Sequence, residues 1–286
     1  MHVYPASLKL RWLTANCWEI KLPDGTTIIT DPFIPTKDHP MEKWHHYDCG
    51  VGVNDLERAD YAIIGHPHAD HLGSLKDLFD RFSCRVLGHS VWAYLLCTEL
   101  QIPEQMILPY DNGAHYEFNS FSLDTFVARH SPGFVGKRNG IRHIDQGTEY
   151  EILNDYGALY NTNYILTTKN NLRICFCAGV HDETEFNYLK DKGVNLILCQ
   201  CGSMAPEPRM ASPDAVDKAV QQAANVLINS GAELMMPTHQ ERFSQDQVEA
   251  FVVKVNALLS ERGYHGRMFA PVPTQWYSVG MDLSAI

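Results

Sequence analysis

Three histidines and an aspartate fall within six residues at His66-Pro67-His68-Ala69-Asp70-His71, directly after the apolar run Tyr61-Ala62-Ile63-Ile64-Gly65. The run reads as a buried strand. A helix is predicted straight after the cluster, because Leu75, Leu78, Phe79 and Phe82 keep helical spacing and Ser74 with Asp77 resembles a capping box. Any fold of this chain must therefore lead a strand into a short loop and then a helix, with the loop's donors aimed at one place. Alternate residues of an extended stretch point the same way, so His66 and His68 can share one ion while Asp70 and His71, at the turn into the helix, can face a second. One ion could hardly use all four, and a dinuclear centre is the natural reading. Imidazole and carboxylate suit zinc, and also manganese or iron, in an open catalytic site, whereas a thiolate set would indicate a closed structural zinc site. The bland reading, ordinary surface or capping residues, fits isolated histidines better than a set this dense.

Further ligands must come from elsewhere in the chain. His130 ends the strand-like run Phe121 to His130, and His239 ends Met235-Met236-Pro237-Thr238-His239. A lone histidine at a strand end is usually a satisfied cap, but strand ends converge on one face, so each gains weight beside the cluster. Around them strands alternate with helices. Leu8 to Asp31 reads as short strands with a turn at Pro23-Asp24-Gly25, followed by a strand at Arg85 to Gly88 and a helix at Ser90 to Leu100. Further strands are predicted at Tyr164 to Thr168, Leu172 to Ala178 and Asn195 to Cys201. Ser212-Pro213 opens a helix as N-cap and first residue, and Gly231 closes it. The last helix carries Val248, Phe251, Val252, Val255, Leu258 and Leu259 on one face and stops at Gly263. This is α/β wiring, and with no repeat or linker we assign one domain, 1–286.

Composition narrows the function. At 286 residues and 45% hydrophobic the chain can bury a sizeable core. A formal net charge of -11 opposes binding to nucleic acid and favours a small-molecule substrate. No apolar run approaches the ~18 residues that cross a bilayer, and Met1 to Ile20 lacks the order of a signal peptide, so no membrane partner is expected. Eight cysteines without such a signal read as reduced thiols, which places the chain in the cytoplasm. A homo-oligomer is compatible with the sequence.

Some segments speak to the substrate or to rival sites. Gly133 to His143 is a basic excursion in an acidic protein, and Lys137, Arg138 and Arg142 there could grip an anionic group of the substrate, against the bland reading of a solvated loop. His39, Trp44, His45 and His46 read as surface loop. Cys175-Phe176-Cys177 and Cys199-Gln200-Cys201 each put two thiols on one face of a strand, but zinc sites of that type favour Cys-x2-Cys turns, so core cysteine is the better reading. His89, Glu99, His115 and His265 carry no separate signal.

The segment His66-x-His68-x-Asp70-His71 followed by Leu72-Gly73 resembles the signature of the metallo-β-lactamase superfamily. Thr30-Asp31-Pro32-Phe33, Met210 to Val216 and Met236-Pro237-Thr238-His239 are similar to the branch that includes L-ascorbate-6-phosphate lactonase. The similarity runs from about Leu8 to the end, interrupted at Lys37 to Asn54 and Ser131 to Tyr156. It implies a four-layer αββα sandwich with one or two divalent metals at one edge of the sheets. It also implies His66, His68 and His130 around the first metal, Asp70, His71 and His239 around the second, and Asp31 orienting a ligand. Asp70 would in addition orient the attacking water or take its proton. A metal lowers the pKa of a bound water from ~15.7 towards ~7, so ester, lactone, amide and phosphodiester bonds all suit such a centre.

One departure matters. The family places a bridging Asp after a strand-ending Gly, but here Ala178-Gly179 is followed by Val180-His181-Asp182. Either Asp182 (or His181) takes that role, or the second metal is weak or absent. Rival readings are a metal-binding, catalytically degenerate sensor or paralogue, a phosphodiesterase or nuclease of the same fold, and an oxidoreductase of the flavodiiron kind, for whose flavin domain no length remains.

Overall fold

The computed structural model describes residues 7–36, 50–128, 160–177, 186–202, 204 and 214–280. Two seven-stranded sheets make its centre. The first runs in the order β14 (Tyr277–Val279), β1 (Leu8–Thr14), β2 (Cys17–Lys21), β3 (Thr27–Thr30), β4 (Tyr61–Ile63), β5 (Arg85–His89) and β6 (Ile107–Tyr110). The second runs β13 (Arg267–Met268), β12 (Leu234–Thr238), β11 (Leu196–Gln200), β10 (Arg173–Cys177), β9 (Asn161–Thr168), β8 (Phe121–Ala128) and β7 (His115–Glu117). Each sheet is antiparallel on one side and parallel on the other, β3 to β6 and β10 to β13 being the parallel runs. Strands of the parallel kind are covered on both faces, which is why Leu196 to Cys199 is apolar without alternation.

Leu10, Trp12, Ile28 and Ile63 of the first sheet meet Phe121, Leu166, Ile174 and Met236 of the second in one buried cluster. The outer face of the first sheet, with Ile29, Ala62 and Val86, is covered by α1 (Ala69–Leu72), α2 (Leu75–Phe82), α3 (Ser90–Ala93) and α4 (Leu95–Glu99). That of the second, with Ile165, Cys175 and Ile197, is covered by α5 (Ala215–Ser230) and α6 (Gln245–Glu261). The architecture is the expected four-layer αββα sandwich. Cys175, Cys177, Cys199 and Cys201 are buried under α5, with the Sγ atoms of Cys175 and Cys177 3.8 Å apart. They are core residues, as their strand-interior placement implies.

Several helix ends differ from the sequence reading. The expected helix is α2, with Ser74 at its N-cap, but the capping box with Asp77 does not form: Ser74 Oγ accepts the Ile34 N–H at 2.8 Å, and the short α1 precedes the helix. Ser90 to Leu100 is two short helices. The long helix α5 begins at Ala215 with Asp214 at its cap, while Ser212 and Pro213 lie outside the described residues. A genuine capping box opens α6, where Ser244 and Gln247 exchange bonds of 3.3 and 2.9 Å. No described helix is long and apolar enough to cross a membrane.

The C-terminal ends of β3, β4 and β12 lie along one edge of the sandwich, and cross-sheet bonds close that edge. Thr162 N–H donates to Gly65 O at 2.9 Å, His239 N–H to Ala15 O at 2.9 Å, and Thr238 Oγ1 donates to the same Ala15 carbonyl at 2.6 Å.

Candidate metal centre

At this edge the loop after β4 turns back through α1, and β12 delivers His239 from the other sheet. Asp70, His71 and His239 place one ligand atom each within 4.8 Å of one another, the one such set of His, Cys, Asp or Glu among the described residues. His239 Nε2 is 3.2 Å from Asp70 Oδ2, and His71 Nε2 is 3.9 Å from Asp70 Oδ1. The His66 ring stacks at a tilt on His71, centroids 3.6 Å apart, and lies 4.8 Å from that of His68. All three histidines of the loop are buried.

The far nitrogen of each imidazole in the set lies against a carboxylate. His71 Nδ1 is 3.0 Å from Asp31 Oδ2, while Asp31 Oδ1 accepts the Gly65 N–H at 2.6 Å. His239 Nδ1 is 2.7 Å from Glu241 Oε1. A carboxylate behind an imidazole sets the tautomer, turns the Nε2 lone pair towards a cation and raises its basicity. Asp31 thus stands where the resemblance implies. Glu241 went unnoticed in the sequence, where its one signal is the spacing His239-x-Glu241.

Electrostatics follow the same wiring. Burial pushes the Asp31 carboxyl up, partly offset by His71. Burial would raise Asp70 too, but His71 and His239 outweigh it and hold the carboxyl well below the usual range. Burial lowers His239, yet Glu241 and Asp70 lift it to about 10. His239 Nε2 and the Asp70 carboxylate thus face each other across the place a cation would take. Two imidazoles and a carboxylate, converging and braced from behind, fit a divalent ion.

Backbone strain marks the same residues. Asp31 and His239 have φ of 37° and 59°, left-handed values that cost a non-glycine residue about 1–3 kcal/mol and persist where the surroundings over-determine them. Here the surroundings are the Ile63 carbonyl, which receives the Asp31 N–H, and the Ala15 carbonyl, which receives that of His239.

A protein-family model described as a beta-lactamase superfamily domain matches residues 9–239. The chain belongs to the metallo-β-lactamase superfamily. A UPF0173 metal-dependent hydrolase of Haloquadratum walsbyi is 24% identical over 259 residues, 90% of this chain and 92% of its own length. Among solved structures, a metallo hydrolase of Ignicoccus hospitalis has a TM-score of 0.61 at 14% identity, covering 96% of this chain and 100% of that one. The isothiocyanate hydrolase from Delia radicum gut bacteria has a TM-score of 0.65 at 13% identity, covering 95% and 100%. At these identities the structural likeness shows the superfamily fold alone.

Of the candidate ligands, the structure brings together Asp70, His71 and His239 and packs His66 and His68 beside them. His130, His181 and Asp182 lie outside the described residues, as do Val180, Lys137, Arg138, Arg142, His39, Trp44, His45 and His46. The strand β8 that precedes His130 in sequence is described as far as Ala128, which pairs with Asn161, one residue before the Thr162 whose N–H donates to Gly65 O.

Proposed function

We propose that the chain is a metal-dependent hydrolase acting on a small anionic ester, lactone or phosphate-bearing substrate. The observation that carries this is the braced set Asp70, His71 and His239, whose imidazoles are each backed by a carboxylate. The names of its sequence relatives, metal-dependent hydrolases, support it. Asp70, His71 and His239 would hold one ion and His66, His68 and His130 another, with Asp182 as the candidate bridge. Zinc is the metal we propose first, manganese or iron next, from the imidazole and carboxylate donor set. A bound divalent ion supplies a Lewis acid and an acidified water.

The chain's own residues do the rest. Asp31 and Glu241 keep the imidazoles turned towards the centre, and the Asp70 carboxylate, between His71 and His239, offers an acceptor that orients the attacking water or takes its proton. Lys137, Arg138 and Arg142 are the cations we propose for the anionic part of the substrate. The lactonase-like resemblance of Thr30 to Phe33 and Met236 to His239 supports lactones as the first bonds to try. A cytoplasmic setting is part of the proposal, supported by the seven described cysteines, all free thiols.

Metal analysis of the native protein joined to a hydrolysis screen over lactones, esters and phosphodiesters tests this reading. One or two ions per chain and chelator-sensitive turnover are expected; a protein that takes up no metal overturns it. Val180, where the family has its bridging Asp, favours a second reading, a metal-binding paralogue without hydrolase activity. Bound metal without turnover on any substrate class would select that one.

A further inference from the structure

His89 ends β5, one strand outward from the metal-binding loop. In the parallel ladder Ile63 pairs with Leu87 and Ile64 N–H donates to Leu87 O at 2.9 Å, so the chain of β4 leaves for the metal-binding loop two residues before the level at which β5 ends in His89. Side chains alternate along the strand. Val86 lies in the helix-facing core and Leu87 in the cluster between the sheets. Gly88 lies under Trp92, where an added Cβ would stand 2.6 Å from the ring, and His89 returns to the side between the sheets. Its ring lies 5.6 Å from that of Tyr160, the residue before β9, which packs against the helix-facing cluster of the first sheet, and 6.1 Å from that of Tyr110. The imidazole therefore stands at the C-terminal end of β5, the same end of the parallel sheet from which the neighbouring β4 leads into the metal-binding loop.

Its protonation is set locally. Nδ1 accepts the Val91 N–H at 3.2 Å and so carries no proton of its own. In a neutral imidazole the proton is then on Nε2, which has no partner among the described residues, while the residue keeps 7% exposure. Burial lowers its pKa, with Asp111 partly offsetting this, so the neutral donor form prevails near pH 7. Capping the short α3 uses Nδ1 alone, a task that Asn, Asp or Ser performs with less bulk. The outward N–H has no part in that cap.

We propose that His89 is a substrate-contacting residue whose Nε2–H donates to an oxyanion of the substrate at the sheet end beside the metal-binding loop. This rests on the hydrolase reading for its substrate but names a group that reading does not use. A fixed neutral donor in a water-poor site is the kind that strengthens as charge develops on oxygen, at no cost of reorientation.

The test uses zinc-loaded protein and inorganic phosphate, titrated calorimetrically into wild type and His89→Asn, which keeps a capping acceptor but lacks the outward N–H. The expected result is an unchanged zinc content, a melting temperature within about 2 °C of wild type, and a phosphate Kd raised about tenfold. A second measurement needs no variant: the His89 Nε2–H resonance of 15N-histidine-labelled wild type, identified by its coupling along the ring, should shift when phosphate is added. Equal phosphate affinity in both proteins, an unmoved resonance, or no phosphate binding by zinc-loaded wild type overturns the proposal. Because no turnover is read, a protein that binds phosphate through His89 yet hydrolyses nothing would refute the hydrolase reading and leave this one standing.

Discussion

His239 Nε2 lies 3.2 Å from Asp70 Oδ2 although 169 residues separate them, and the contact joins the two sheets at the edge where the ligands gather. Behind it, Glu241 braces one imidazole and Asp31 the other. The arrangement asks for a cation, and its behaviour under substitution can be stated.

Removing a member of the converging set should remove metal. His239→Ala and Asp70→Asn are each expected to weaken affinity by more than the ~100-fold that loss of a bracing residue costs, and to lower the ions bound per chain. Elemental mass spectrometry after dialysis checks this. Unchanged metal content in both variants would place the ion elsewhere.

The bracing carboxylates should act at one remove. Asp31→Asn and Glu241→Gln preserve size, so the fold should survive while metal affinity falls about 10- to 100-fold. Competition against a chromophoric chelator measures it, and circular dichroism confirms the fold. Affinities equal to wild type would reduce both carboxylates to packing.

Gly88→Ala should destabilise the chain by about 1–3 kcal/mol, the usual cost of overpacking, because the new methyl would stand 2.6 Å from the Trp92 ring in a buried cluster. Urea denaturation reads the change. A midpoint shifted by nothing would mean that Trp92 moves aside freely.

His115 should make stability depend on pH. Hydrogen bonds to Glu117 and then Asp124, 2.9 and 2.7 Å away, raise its pKa above the usual value. A raised histidine contributes stability that is full below its unfolded pKa, ~6.5, and is lost as pH rises through the folded value. The side chain is half exposed, so the effect is small. The melting-temperature gap between wild type and His115→Ala should be widest near pH ~6 and close by pH ~9; a gap that is constant or widens with pH contradicts the assignment.

Much of this was legible from local pattern. Leu8 to Trp12 alternates and is β1; Tyr61 to Ile63 is apolar and is β4; Val248, Phe251, Val252 and Val255 share a face and form the buried side of α6. Elsewhere local pattern misled. Ser74 is the N-cap residue of α2, but its capping box is absent, because its hydroxyl accepts the N–H of Ile34, 40 residues away. The strands β6, β7, β13 and β14 were not seen. They are only two to four residues long, and β14 owes its strand form to pairing with β1 at the far end of the chain. A strand that short carries too few side chains to show a period.

What the order of residues determined alone is the donor-rich loop: three imidazoles and a carboxylate after a buried strand, whose spacing makes a cation its natural occupant. Which distant groups complete it was decided by tertiary structure. Asp31, His239 and Glu241 reach the loop because neighbouring strands lie about 4.8 Å apart and the parallel ones end along a common edge, a consequence of backbone hydrogen bonding that no local spacing encodes.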